Sequence, residues 1–378
     1  MSPIPELGAI PPGTVNLTDY TAHARERLDD QAWAYFSGGA ADELTLQANR
    51  TAWDQLLLHP RVLRALTGGH TRQTLLGRTL EHPILLAPVA FQRMAHPDGE
   101  LGTAYAAAAQ GAGLVLSTQA STSLEQIAQA ILGDPGRGPL WFQLYLQHDR
   151  AFTQTLVQRA EAAGYEALVL TVDAPASGAR DRERRAGFKL PPGISAVNLA
   201  GLPDPPPVSL SLGQSAMFDG LLTTAPTWSD IAWLQSITRL PILLKGILHE
   251  DDARQAAQLG VAGLIVSNHG GRTLDTAIPT AWALARIAQA VGADMPVLVD
   301  GGIRRGTDVL KALALGAHAV LIGRPYVHAL ATAGALGVAH VIRLLRDELE
   351  IAMALTGCAT LQDITPAVLF HPRPGLTG

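Results

Sequence analysis

A single cysteine, Cys358, among 378 residues excludes an internal disulfide framework and any cysteine-rich metal site. It reads as a small buried side chain in a reducing compartment. Aromatic residues are scarce as well, at 5% beside 47% hydrophobic residues. A large core must therefore be built mainly from Ala, Leu, Val and Ile, as in parallel α/β proteins. So much apolar material also excludes a disordered chain. Neither sign of charge dominates: 28 basic residues face 33 acidic ones, a net charge of −5. That balance offers no electrostatic footprint for nucleic acid or for an anionic membrane surface. No run reaches about 18 uninterrupted apolar residues, so no membrane span is expected. The opening, Met1 to Glu6, lacks the basic and apolar regions of a signal peptide. The closing Gly375 to Gly378 is no peroxisomal or retention tag. A soluble cytoplasmic protein is expected. His59, His70 and His82 show no metal-ligand spacing, and no metal is assigned.

What is present is a helical preface followed by a regular alternation. Residues 17 to 58 carry helix-like apolar spacing: Leu17, Tyr20, Ala24, then Leu28, Trp33 and Phe36. Thr18 or Asp19 could cap the first helix, and Ser37-Gly-Gly-Ala40 breaks the pattern before a second helix near Asp42 to Trp53. From residue 82, short apolar runs alternate with Ala-rich helical stretches. The strand candidates are Ile84–Ala87, Leu114–Ser117, Leu140–Tyr145, Leu168–Val172, Ile242–Lys245, Leu264–Ser267, Val297–Asp300 and Val320–Ile322. Eight strands, each followed by a helix, predict a (β/α)₈ TIM barrel over residues 82–378, with residues 1–81 as an N-terminal helical extension packed on it. One connection is abnormally long. Residues 173–229, rich in Pro, Gly, Ser and Leu and including Pro205-Pro-Pro207, follow the fourth strand and are expected to form an active-site lid.

In such a barrel the chemistry sits at the C-terminal ends of the strands. There the chain carries Pro88-Val-Ala90, Ser117, Gln143 and Tyr145, Thr171 and Asp173, Lys245, Ser267-Asn-His-Gly-Gly-Arg272, Asp300-Gly-Gly302 and Gly323-Arg324. Polar groups at so many strand ends are costly to bury without a ligand, which argues for one large, polar, bound cofactor. Its phosphate belongs at the loops after the last two strands, where glycines allow close backbone approach and Arg304 or Arg324 adds charge-assisted bonds. His269, uncrowded beside Gly270-Gly271, is a candidate general base, with Asp173 to orient it. Arg272 and Arg180 are candidate carboxylate clamps. Arg180 lies in Arg180-Asp-Arg-Glu-Arg-Arg185, which also reads as a solvated charged loop. Lys245, at the end of an apolar strand, is placed to stabilise a reduced, anionic cofactor ring.

Together these segments resemble the FMN-dependent 2-hydroxy acid oxidase and dehydrogenase family, which includes glycolate oxidases, lactate oxidases and mandelate dehydrogenases. The resemblance runs from Tyr35-Phe-Ser-Gly-Gly-Ala40 through Phe142-Gln-Leu-Tyr145, Thr171-Val-Asp-Ala-Pro175, Ser267 to Arg272 with Leu274-Asp275, and Asp300 to Asp308, to Gly323-Arg-Pro325. It implies His269 as base, Asp173 as its carboxylate partner, and Arg180 and Arg272 as ligands of the substrate carboxylate. Tyr35 and Tyr145 match substrate-facing tyrosines. Pro88, Val89 and Ala90 match the backbone segment against the flavin ring. Ser117, Gln143, Thr171 and Lys245 match flavin-ring contacts, and Ser267 is counted with the cofactor residues. Asp300, Gly301, Gly302, Ile303, Arg304, Gly323 and Arg324 match the ribityl and phosphate site. It also implies a 2-hydroxy acid oxidised to a 2-oxo acid, and a homotetramer of barrels.

Two departures bear on substrate. Glycolate oxidases typically carry Trp where this chain has Gln119 and a bulky apolar residue where it has Ser177. L-lactate or a larger L-2-hydroxy acid is therefore expected over glycolate. Leu86 to Met94 also resembles hydroxymandelate oxidases. Ala90 resembles the oxidases rather than the monooxygenases, no cytochrome-like extension is read ahead of the barrel, and the long loop lacks a membrane-anchoring apolar stretch, so oxygen is the expected acceptor. A 2-hydroxy acid dehydrogenase using a quinone or other acceptor, a hydroxymandelate-type oxidase, a different FMN barrel enzyme and a non-catalytic FMN-binding protein are the alternatives.

Overall fold

The computed structural model describes residues 9–370, apart from 206 and 294. Both chain ends discussed above, and the middle of Pro205-Pro-Pro207, lie outside the described residues. A helical preface, α1 (Asp19–Arg27), α2 (Asp30–Ser37) and α3 (Leu44–Gln55), leads to an antiparallel hairpin, β1 (Gln73–Leu75) and β2 (Arg78–Leu80). Parallel strands then alternate with helices: β3 (Ile84–Leu86), α4 (Gly99–Ala109), β4 (Gly113–Leu116), α5 (Leu124–Ile131), β5 (Leu140–Leu144), α6 (Arg150–Ala162) and β6 (Ala167–Thr171). The series continues with α7 (Asp181–Arg185), α8 (Ser229–Ile237), β7 (Ile242–Ile247), α9 (Glu250–Gln258), β8 (Gly263–Val266), α10 (Thr280–Val291), β9 (Val297–Val299), α11 (Gly306–Ala314), β10 (Ala319–Ile322) and α12 (Arg324–Thr356). The eight strands β3 to β10 pair in chain order, and β10 pairs with β3 to close the barrel. This is the expected (β/α)₈ architecture, with strand ends displaced by a residue or two.

Strand periodicity assigns each side chain a side. Leu85, Val115, Trp141, Val169, Leu243, Ile265, Leu298 and Leu321, one from each strand, form a single buried apolar layer inside the barrel. Leu75 and Leu80 of the hairpin join that cluster and plug the bottom. The neighbouring residues, such as Ile84, Leu86, Phe142 and Leu168, face outward and pack under the helices in a second, larger core. Two residues beyond the inner layer, the same period brings Ala87, Ser117, Gln143, Thr171, Lys245, Ser267, Asp300 and Gly323 to the barrel mouth. An apolar plug beneath a polar ring is thus written into the alternation of the strands.

The preface departs from the expected pair of helices. Its first helix is broken at Leu28-Asp29, where the Asp29 carboxylate accepts from the Ala32 N–H at 2.7 Å and starts α2 afresh. Thr18 makes no side-chain cap. Asn16 Oδ1 instead accepts from the backbone of Thr18 and Asp19. The hairpin was not anticipated from the sequence either, because three-residue strands carry almost no periodic signal. The long connection holds α7 and several single turns, and Leu199, Leu221 and Pro226 of it line the cavity described below. At 33 residues α12 has the length and mean hydropathy of a membrane-crossing helix, yet 72% of its most apolar window is buried inside the protein. It bends at Ala333-Gly334, where the backbone leaves helical geometry.

His82, at the foot of β3, has a fully buried ring whose Nε2 lies 2.9 Å from the Gln110 carbonyl. Burial pushes its pKa from 6.5 down to about 4, the carbonyl contact offsetting only part of that. The unfolded chain therefore takes up a proton near pH 6.5 that the folded chain refuses until about pH 4. Stability is lost as pH falls through that window, by up to about 1.4 kcal/mol per pH unit. Denaturant midpoints at pH 7 and pH 5 should differ less in His82→Gln than in the wild type. Equal differences would mean His82 is protonated without cost.

Candidate active site

Above the polar ring lies a cavity of about 720 Å³. The strand-end residues named from the sequence line it except Asp173, Ser267, Asn268 and Gly271. Ser267 is fully buried, and its Oγ accepts from Lys245 Nζ at 2.8 Å and from the His269 N–H at 3.0 Å. It braces two lining residues, Lys245 and His269, against each other. The middle of the cavity is a hydrogen-bonded belt. Gln143 Oε1 accepts from Ser117 Oγ and the Thr118 N–H, while its Nε2 donates to Thr171 Oγ1 at 3.1 Å. Lys245 Nζ pairs with Asp300 Oδ2 at 2.9 Å. Burial pulls the Lys245 pKa down, but Asp300 and Asp173 outweigh it and keep the ammonium charged. Asp300 Oδ1 is buried with no partner among the described residues. Pro88, Val89 and Ala90 form the next wall, anchored by Gln92 Nε2 to the Val89 carbonyl and by Tyr326 O–H to the Ala87 carbonyl.

At one end Arg304 and Arg324 enter the cavity. Among the described residues no carboxylate lies within salt-bridge range of either. Burial, reinforced by Arg50, lowers the Arg304 pKa to about 10. Burial, reinforced by Arg272 and Arg304, lowers that of Arg324 to about 9. Two desolvated cations without a counter-ion constitute a site for a multiply charged anion. The backbone N–H groups of Arg304 and Arg305 are not available to it, since both donate to Asp308. Gly302 has φ +83°, and a Cβ there would stand 2.3 Å from the Asn49 carbonyl oxygen. That glycine is required by the approach of α3, a reason the sequence did not disclose.

At the other end stand the candidate base and clamp. His269 Nδ1 lies 2.9 Å from Asp173 Oδ1. Burial raises the Asp173 pKa, but His269 and Lys245 overcome that and hold the carboxyl below its ordinary range, so it is ionised at neutral pH. His269 itself has φ +56°, a left-handed conformation that costs about 1–3 kcal/mol in a non-glycine residue and is held by the Ser267 brace. Asp173 is admitted by a bulge in β7: Gly246 has φ +113°, and a Cβ there would stand 2.4 Å from that of Asp173. The Tyr35 and Tyr145 phenols both line the cavity, and burial raises both pKa values, so each remains an O–H donor. Arg272 lies 5.0 Å over the Tyr35 ring, and Phe188 stacks on that ring at 4.9 Å. Arg180 belongs to the site rather than to solvent. Its Nη1 lies 3.3 Å from Glu183 Oε1, the same oxygen that Arg272 Nη2 reaches at 3.1 Å. Glu183, Gly246, Phe188 and Asn49 were missed from the sequence. A glycine inside a strand pattern was the one available signal, and it marked Gly246. Gln119 and Ser177 also line the cavity, together with Phe91, Leu146 and Leu199.

The comparisons agree on one group of proteins. A family model described as FMN-dependent dehydrogenase matches residues 24–371. An L-lactate oxidase of Alicycliphilus denitrificans is 51% identical over 356 residues, covering 94% of this chain and 96% of that protein. Glycolate oxidase 1 of Zea mays is 46% identical over 351 residues, covering 93% and 94%. Among solved structures, a mandelate oxidase crystallised with (S)-2-phenylpropionate superposes with a TM-score of 0.83 at 43% identity, covering 94% of this chain and 98% of that one.

The paired buried arginines lead to an expectation independent of any reaction. Inorganic phosphate should raise the melting temperature of ligand-free protein, because an anion bound only by the folded state stabilises it. Arg304→Met should lose most of that rise, since among the described residues the one hydrogen bond Arg304 donates from its side chain is to the Ile303 carbonyl, which leaves its charge free for the anion. An undiminished phosphate effect in that variant would locate anion binding elsewhere.

Proposed function

The chain belongs to the FMN-dependent dehydrogenase family, and from that premise we propose that it oxidises L-2-hydroxy acids to 2-oxo acids, preferring L-lactate or a larger acid to glycolate. Molecular oxygen is the acceptor and hydrogen peroxide the co-product. The observation that carries this reading is the juxtaposition, at one end of one cavity, of the His269–Asp173 pair with Arg180, Arg272, Tyr35 and Tyr145. The names of the relatives, L-lactate oxidase, glycolate oxidase and mandelate oxidase, support the substrate class and the acceptor.

The residues suit FMN. Arg304 and Arg324 are buried cations without a carboxylate partner, which matches a phosphate dianion. Asp300 Oδ1 is a buried acceptor left over beside Lys245, which matches a polar chain or ring running through the middle. Pro88 to Ala90, Ser117, Gln143, Thr171 and Lys245 would hold the ring system, and Asp300 to Arg304 with Gly323 and Arg324 the ribityl phosphate. When bound, FMN supplies the two-electron acceptor.

The protein's own part is binding and proton handling. Arg180 and Arg272 take the substrate carboxylate, and the protonated phenols of Tyr35 and Tyr145 donate to its oxygens. With Nδ1 held by ionised Asp173, His269 presents Nε2 as the base that removes a proton from the substrate. Asp173 stabilises the imidazolium that results. The Lys245 ammonium lies where negative charge would accumulate on a reduced ring. Oxidation removes two electrons and two protons from the 2-hydroxy acid, and oxygen takes up both pairs to leave as peroxide. We further propose that the protein is cytoplasmic and a homotetramer. What supports assembly is the set of exposed apolar side chains Val62, Leu63, Ile351 and Leu355.

The test is anaerobic mixing of the yellow enzyme with glycolate, L- and D-lactate, L-2-hydroxy-4-methylpentanoate and S-mandelate, followed by air. L-lactate or a larger L-acid should show higher kcat/KM than glycolate. Differences between neighbours should be modest, since one methylene is worth roughly 1–3 kcal/mol. D-lactate should be poor, because the clamp fixes the carboxylate and the base works from one side. In His269→Ala, flavin bleaching should slow by roughly two or more orders of magnitude while FMN stays bound. A glycolate optimum would refute the substrate preference, and near-normal bleaching in His269→Ala would require another base.

A further inference from the structure

Among the described residues Glu183 is the one carboxylate lining the substrate end of the cavity, and nothing in the reaction uses it. It sits on α7, a single turn pinned to the preface by a contact between Arg182 and Glu43. Its Oε1 is shared by Arg180 Nη1 at 3.3 Å and Arg272 Nη2 at 3.1 Å. The Glu183 and Arg272 side chains are only 13% and 14% exposed, so the contact is poorly screened by water. Arg272 spends its other terminal nitrogen on the carbonyls of Tyr35 and Gly38. Arg180 keeps a buried Nε with no partner among the described residues. The clamp is therefore three groups with one positive charge between them: two guanidiniums bridged from one side by a carboxylate, with Arg180 Nε left over for an incoming anion.

Resting on the functional reading above, we propose that Glu183 is a positioning residue that sets the strength of the carboxylate clamp. It ties the two guanidiniums into one orientation and, as a built-in counter-charge, weakens their hold on the 2-oxo acid so that product leaves. One monocarboxylate neutralises a clamp of net charge one. Without Glu183 the same ligand would face two uncompensated buried cations, whose mutual repulsion only an anion could relieve. Burial and the neighbouring Arg180 already lower the Arg272 pKa, the mark of that repulsion. The charge of Glu183 acts on the ligand through the arginines and at short range, so its effect on anion affinity exceeds that of one lost hydrogen bond.

The experiment is a titration of the FMN-loaded enzyme with pyruvate, followed by the perturbation of flavin absorbance, in wild type, Glu183→Gln and Glu183→Asp. Glu183→Gln should bind pyruvate roughly tenfold or more tightly than the wild type. Its KM and kcat should fall together as product release becomes limiting, with anaerobic bleaching in a single turnover little altered. Glu183→Asp, which keeps the charge, should return to near wild-type affinity. If Glu183→Gln does not fold, Glu183→Ser carries the same expectation for pyruvate affinity. Pyruvate bound by wild type but no more tightly by the neutral variants would overturn the proposal and leave the functional reading standing. A wild type that neither responds to 2-oxo acids nor is bleached by any 2-hydroxy acid would overturn both.

Discussion

Positive charge held out of water at the barrel mouth governs the rest of this structure. Arg180, Arg272, Arg304, Arg324 and Lys245 line one cavity, and the carboxylates that face them are Asp173, Glu183 and Asp300. The excess sits at two places, the Arg304–Arg324 end and the Arg180–Arg272 end. The depressed pKa values of Arg272, Arg304 and Arg324 have burial as their largest cause, with neighbouring arginines adding to it. A protein of net charge −5 has thus concentrated an unbalanced positive field inside itself. Such a field costs folding stability and is kept because anions complete it. The anions it suits are a phosphate monoester at one end and a carboxylate at the other.

The helical preface exists in large part to hold those arginines. Arg324 donates to the carbonyls of Phe36, Gly38 and Gly270, and Arg272 to those of Tyr35 and Gly38. These preface carbonyls lie at the C-terminal end of α2, where helix carbonyls lack intrahelical partners and carry the negative end of the dipole. Ser37-Gly-Gly39 ends the helix there, so the break that sequence reading took for a boundary is also the device that presents oxygens to two cations. Further along, α3 is tied to the barrel. Asn49 and Asn268 exchange amide hydrogen bonds at 2.9 and 2.8 Å, and the Asp275 carboxylate accepts from the Asp42 and Thr45 N–H groups. The segment from Ser267 to Asp275 therefore serves two ends. His269 and Arg272 face the cavity, while Asn268 and Asp275 hold α3, the helix that follows the turn presenting those carbonyls.

The barrel was legible in the sequence because it rests on periodicity. Eight apolar runs, separated by Ala-rich helices of ordinary length, leave few alternatives, and a step of two residues from Val169 to Thr171 or from Leu243 to Lys245 identifies the polar ring. His269, Asp173, Arg304 and Arg324 were legible for the same reason, as polar residues at strand ends. Alternation says which side of the sheet a residue faces, not whether a neighbour covers it, so the burial of Ser267 beside Lys245 and His269 was not legible. The break between α1 and α2 and the β1–β2 hairpin are short-range events, decided by Asp29 and by packing on Leu75 and Leu80. Glu183 was hidden inside Arg180-Asp-Arg-Glu-Arg-Arg185, a run whose composition belongs on a surface. Only the fold of the long connection, bringing α7 beside α2, turns part of it inward.

Aiming the His269 ring at Asp173 takes distortion at two further points. Asp173 reaches His269 only because β7 bulges at Gly246, where the register against β8 slips and a side chain would collide with Asp173. The β7 strand also carries Lys245, one residue earlier, whose ammonium lies between Asp300 and Ser267. A regular strand would carry Lys245 into the ring but leave no space for Asp173 behind it. Across the cleft, His269 accepts a left-handed backbone so that its ring turns toward Asp173 instead of continuing the direction of β8. Ser267 ties the two distortions together, its hydroxyl taking the Lys245 ammonium on one side and the strained His269 N–H on the other. The strain at His269 and the missing side chain at Gly246 are therefore one arrangement, in which the same few hydrogen bonds orient the imidazole, keep the Asp173 carboxylate ionised and hold the lysine in the ring.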